Sequence, residues 1–177
     1  KSVIVSRLFP GIPFGKSLPG DLTLTDVAGK KQLLSSMKKP GRPLVVAFVA
    51  IKCKRYKKYK PKPEYFDRYA ATVRKYKGKV DFITVSANKA DKFKDVAVLM
   101  AKTKVKLKTW HDKSGLVGRV FNAQATPPPH IYLFDAEGHL RYAGDPHLNW
   151  EKPKKKTDDY LARAIDLAVA GKFKANG

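Results

Sequence analysis

Cys53 is the only cysteine in the 177-residue chain, and it stands where a thiol would be activated. Lys52, Lys54, Arg55, Lys57 and Lys58 flank it, and cations favour thiolate over thiol, as does a helix N-terminus. A lone thiol excludes an internal disulfide framework and a zinc site built on paired cysteines. What it can do is attack a disulfide or a peroxide, after which an external thiol must regenerate it. The alternative is a cysteine with no catalytic part.

The same stretch carries a second kind of chemistry. Residues 52–62 hold seven cations, Lys52, Lys54, Arg55, Lys57, Lys58, Lys60 and Lys62, interleaved with Tyr56 and Tyr59 and with no acid before Glu64. Cations in a first helical turn oppose the macrodipole, and a bound phosphate would reverse the sign of that interaction. Lys102, Lys104, Lys106 and Lys108 recur at alternate positions, which on an extended segment would put all four on one face along a phosphate backbone. A solvated face, or a lysine-rich edge guarded against aggregation, is the competing reading. Over the whole chain 37 Lys and Arg stand against 15 Asp and Glu, a formal charge of +22. Self-repulsion of that size destabilises a compact state unless anions neutralise it, so the composition points to a polyanionic partner.

Other residues suggest less. The four histidines, at 111, 130, 139 and 147, show neither the helical nor the paired spacing of a metal site, and no glycine loop of the nucleotide-binding kind is present, so neither metal nor cofactor is expected. Trp110-His111-Asp112 has no serine or cysteine placed to complete a triad and reads as structural.

With 43% hydrophobic residues the chain can bury one sizeable core. Residues 44–50 form a continuous apolar run that suits a strand buried on both faces, and residues 80–85 form another. Helical spacing appears between Pro63 and Tyr76, over 93–102 and more weakly over 116–122, with a short helical stretch at 32–37. Residues 130–134 and 140–143 flank the turn signal Asp135-Ala136-Glu137-Gly138 and predict an antiparallel hairpin. A last helix is expected over 157–170, capped by Thr157 and stopped by Gly171. The order predicts an α/β domain with a mixed central sheet and helices on both faces. Its expected limits are 21–172, between an irregular arm over 1–20 and a tail over 173–177. The longest apolar run, residues 44–51, falls far short of the roughly 20 residues a membrane helix needs, so a soluble protein is expected. The chain starts at Lys1 without a methionine or a leader, as a processed, trimmed or partial sequence would.

A buried strand that delivers a cysteine to the start of a helix resembles the thioredoxin-like redoxins. The closer likeness is to the alkyl hydroperoxide reductase and thiol-specific antioxidant type, through Gly29-Lys30, the run Pro43-Leu44-Val45-Val46-Ala47-Phe48, Cys53, Tyr59 and Pro61, over roughly residues 17–172. The resemblance implies a thioredoxin-like fold, a nucleophile at Cys53, and a proline, normally cis, at Pro129, with His130 beside Cys53 as a candidate base. It also implies an exported or periplasmic protein. Lys52 and Tyr56 replace the tryptophan and second cysteine of thioredoxins. Val46 and Ala50 replace the proline and hydroxyl residue of peroxiredoxins.

Two functions follow. One is a single-cysteine thiol-disulfide oxidoreductase or thiol peroxidase acting through Cys53 with an external resolving thiol. The other is a redox-degenerate thioredoxin-fold protein, intracellular if it binds nucleic acid, that holds RNA, DNA or another polyanion on its basic surface, as a structural subunit of a larger assembly. Neither the oligomeric state nor the identity of the polyanion follows from these residues.

Overall fold

Six apolar residues in succession, with three valines that favour extended backbone, make Leu44–Val49 (β3) fully buried and central. The computed structural model describes residues 11–52, 63–123, 129–145 and 159–173, and only the backbone of residues 64 and 65. Among them β3 lies in a seven-stranded sheet with Thr23–Thr25 (β1), Lys31–Leu33 (β2), Asp81–Ser86 (β4), Thr109–His111 (β5), His130–Phe134 (β6) and Leu140–Gly144 (β7). The order is β2-β1-β5-β4-β3-β6-β7. β4 is parallel to β3 and β5, and the remaining pairs are antiparallel. This is the mixed sheet expected from the sequence.

The pleat divides β3 between two cores. Val45, Ala47 and Val49 pack under Asp67–Lys75 (α1), Phe93–Ala101 (α2) and Tyr160–Val169 (α4), whereas Leu44, Val46 and Phe48 face Leu116–Val120 (α3) and the N-terminal segment. Burying each such valine, leucine or phenylalanine stabilises the fold by about 1.5–3 kcal/mol relative to exposure. The Tyr76 hydroxyl, just past α1, donates to the Asp166 carboxylate at 2.6 Å and so ties α4 to α1. The α4 N-cap is Asp159, whose carboxylate accepts the Ala162 N–H at 2.8 Å. Thr157, expected in that role, lies outside the described residues.

The hairpin forms at Asp135-Ala136-Glu137-Gly138, where Gly138 takes a φ of +92°. Asp135 accepts the His139 N–H at 2.8 Å and the Arg141 Nε at 2.5 Å. Burial alone would push its carboxyl up, but these donors hold it below the usual range. Residues 11–18 lie against the domain: Ile12 is buried, Gly15 donates to the Leu140 carbonyl, and Ser17 bridges His139. At Gly11 a β-carbon would stand 2.1 Å from the Val120 carbonyl oxygen.

Three local expectations are corrected. The stretch 32–37 is not one helix, because residues 31–33 pair with β1 and only Ser35–Met37 turns, as a 3-10 helix. Residues 109–111, not expected as a strand, extend the sheet as β5. Residues 102–108 are not extended. They close α2 in a turn in which the Thr103 hydroxyl donates to the Met100 carbonyl at 2.7 Å and Lys106 takes a φ of +48°. Lys102, Lys104, Lys106 and Lys108 are nevertheless all exposed, with Thr103 and Leu107 turned inward. No helix among the described residues is long and apolar enough to cross a membrane.

Candidate functional site

β3 ends at Val49, and three residues separate it from Cys53. The approach is held from the side by the loop between β4 and α2. One Asp91 carboxylate oxygen accepts the Ile51 N–H and the other the Lys52 N–H, each at 2.8 Å. The Asn88 side-chain amide donates to the Lys52 carbonyl, and its own carbonyl oxygen accepts the Ala90 N–H at 3.2 Å. Three backbone groups on the approach to Cys53, the N–H groups of Ile51 and Lys52 and the Lys52 carbonyl, are thus bonded by two loop side chains. Neither stands out in the sequence. The only signal is an Asn and an Asp in a loop directly after a buried strand, residues that bond to neighbouring backbone.

Across from β3, Phe48 pairs with His130 in the antiparallel β6, and the same register brings Pro129 level with Val49. Pro129 is buried. The bond that joins it to residue 128, expected to be cis, lies outside the described residues, as do Cys53, Lys54, Arg55, Tyr56, Lys57, Lys58, Tyr59, Lys60 and Lys62. Lys52 is described and exposed.

His130 is almost wholly buried, and neither ring nitrogen has a hydrogen-bond partner among the described residues. Its ring meets Tyr132 edge-on at 4.9 Å. Burial alone pulls its pKa down to about 4, so at neutral pH it is an uncharged imidazole with one donor and one acceptor nitrogen. An imidazole of that pKa is a weak proton acceptor for a thiol and a competent hydrogen-bond partner.

Trp110-His111-Asp112 has a scaffolding part. Asp112 is buried and accepts the Gly118 N–H at 2.7 Å and the Ser114 hydroxyl at 3.1 Å, which fixes the start of α3. His111 stacks on Phe93 with centroids 4.6 Å apart. Val46 and Ala50, where peroxiredoxins carry proline and a hydroxyl, are both buried, and neither offers a hydroxyl. Among the described residues no group of three or more His, Cys, Asp and Glu lies close enough to hold a metal ion.

Solved structures share this architecture. A hypothetical protein from Sinorhizobium meliloti matches with a TM-score of 0.70 at 20% identity, over 94% of this chain and 89% of its own. An uncharacterized conserved protein from Geobacillus kaustophilus matches at 0.68 and 19% identity, over 96% and 87%. The thioredoxin domain of a thiol-disulfide oxidoreductase from Bacteroides vulgatus matches at 0.61 and 18% identity, over 89% and 99%. Identities this low establish the fold: the chain is a mixed α/β protein of the thioredoxin-like fold with a single cysteine. No protein-family model matches it, and no curated protein does.

Proposed function

We propose that the protein exchanges thiols and disulfides through Cys53 alone. The observation that supports this is the junction itself: β3 leads toward Cys53 through three backbone groups held by Asp91 and Asn88, with Pro129 across from the end of the strand. The Cys53 thiolate attacks one sulfur of a substrate disulfide, forming a mixed disulfide and releasing the other sulfur as a thiolate. An external thiol then attacks the substrate sulfur of that mixed disulfide, which frees the Cys53 thiolate and leaves the oxidised pair between substrate and reductant. No second cysteine of this chain is needed. Disulfides are favoured as substrate over peroxides because Val46 and Ala50 supply no hydroxyl to polarise an O–O bond. His130, neutral at neutral pH, offers a hydrogen bond rather than a proton sink. The reading suits an exported protein, since disulfides persist in oxidising compartments.

The test is turnover of a glutathionylated peptide with reduced glutathione as the external thiol. The parent protein releases the free peptide catalytically, and Cys53→Ser does not. A thiol titrated by the pH dependence of alkylation with an apparent pKa at or above about 8.5, the value for free cysteine, would remove the basis for the proposal. In the alternative reading, residues 52–62 bind a polyanion and Cys53 is silent. It predicts loss of nucleic-acid binding when Lys54, Arg55, Lys57 and Lys58 become Ser, with no turnover in the parent.

A further inference from the structure

The end of the sheet where β3 begins, opposite Val49, gathers a separate group of cations. Residues 38–42, 74–79 and 102–108 carry three, four and four Lys or Arg and not one acid. They precede β3, β4 and β5, which run parallel, and so lie at one end of the sheet. The Asp81 carboxylate accepts the Lys39 N–H at 2.7 Å and lies 3.8 Å from the Arg42 guanidinium, while the Asp81 N–H donates to the Pro43 carbonyl. Residues 74–79 run directly into β4. Residues 102–108 lead into β5, which joins β4 at Thr84, and Leu107 belongs to the same core cluster as Tyr76 and Val80, with Val105 packed against it.

We propose that this end of the domain binds the phosphate backbone of double-stranded nucleic acid. Some of its cations are already engaged: Lys104 pairs with Asp67 at 3.1 Å, Lys38 donates to the Ala136 carbonyl, and Lys108 lies over the Trp110 ring at 4.2 Å. Lys77, Lys79, Lys102 and Lys106 are exposed and have no side-chain partner among the described residues. Lys106 holds a left-handed backbone that glycine or asparagine would adopt more easily.

What the surface lacks selects the ligand. None of the exposed large hydrophobic residues falls within the three segments, and their aromatic neighbours Tyr76 and Trp110 are buried. Among the described residues these segments offer no stacking platform for single strands, no apolar anchor for a protein interface and no side chain to insert into lipid. Charge alone remains, and duplex DNA or RNA offers a dense, regular row of phosphates to it. This inference rests on no part of the thiol chemistry.

Binding of a random-sequence DNA duplex is measured by fluorescence anisotropy as a function of salt. The quadruple variant Lys77→Ser, Lys79→Ser, Lys102→Ser, Lys106→Ser is compared with Lys30→Ser, Lys89→Ser, Lys94→Ser, Lys113→Ser, which removes the same charge from elsewhere, both checked for folding by circular dichroism. The first should bind at least about tenfold more weakly near physiological salt, with a salt slope lower by about 0.9 for each phosphate it no longer neutralises. The second, and Cys53→Ser, should bind much like the parent. An equal loss in both quadruple variants would mean that net charge, not this surface, drives binding. Tighter binding of the parent to single strands or to anionic phospholipid vesicles than to duplex would also overturn the proposal.

Discussion

Asp91 receives the backbone N–H of Lys52 at 2.8 Å, so a carboxylate in the loop after β4 fixes the residue that precedes Cys53. Its second oxygen does the same for Ile51. A peptide hydrogen bond to a charged acceptor contributes about 1.5–3 kcal/mol, and an ordered approach fixes where the following side chain starts.

Asp91→Ala therefore destabilises the domain by about 1–3 kcal/mol in urea unfolding, the lower part of the range reflecting a site partly open to water. Amide hydrogen exchange quickens at Ile51 and Lys52 while the amides inside β3 keep their protection. Asp91→Asn, which retains one acceptor oxygen, falls between parent and alanine variant. Unchanged exchange at the two amides would show that the strand end is held by something other than this carboxylate.

Lys106 supplies a test that sets stability against binding. A non-glycine residue in the left-handed region costs on the order of 1 kcal/mol or more, and glycine there recovers this less about 0.5–1 kcal/mol of added unfolded-state entropy. Lys106→Gly is expected to leave thermal stability equal or slightly raised while weakening duplex binding. A clear fall in melting temperature would mean that the lysine side chain, not the backbone, supports the turn.

Much of this architecture is legible in the sequence because it rests on local pattern. The run at 44–49, the spacing along α1 and the Asp135-Ala136-Glu137-Gly138 turn each declare their structure within a few residues. What escapes is set by distant partners. Lys31, Gln32 and Leu33 become a strand only because β1 lies beside them, and the alternation over 102–108 mimics an extended segment although Thr103 and a left-handed Lys106 close it as a turn. At the candidate site the strand that leads to Cys53 is readable from its apolar run. Asp91 and Asn88 are not, since their bonds span about forty residues of sequence and follow no period.

The last prediction concerns His130 and acid. An unfolded histidine titrates near pH 6.5, whereas burial holds this one at about 4 in the folded protein. Between those values the unfolded chain binds a proton that the folded protein refuses, so stability rises with pH through this window and falls as pH drops from about 6.5 toward 4. The full effect is on the order of 3 kcal/mol. His111, also lowered chiefly by burial, adds a slope of the same sign. His130→Leu removes the larger titration and the two nitrogens without partners among the described residues, so at neutral pH it should be about as stable as the parent or more so. Its urea midpoint should then change much less than the parent's between pH 6.5 and 4, leaving the slope due to His111 and, toward pH 4, that of Asp135, whose carboxyl is held below its usual range. Parallel curves for parent and variant would mean that His130 is protonated as readily in the folded protein as in the unfolded chain, and that its ring nitrogens reach water or a polar partner.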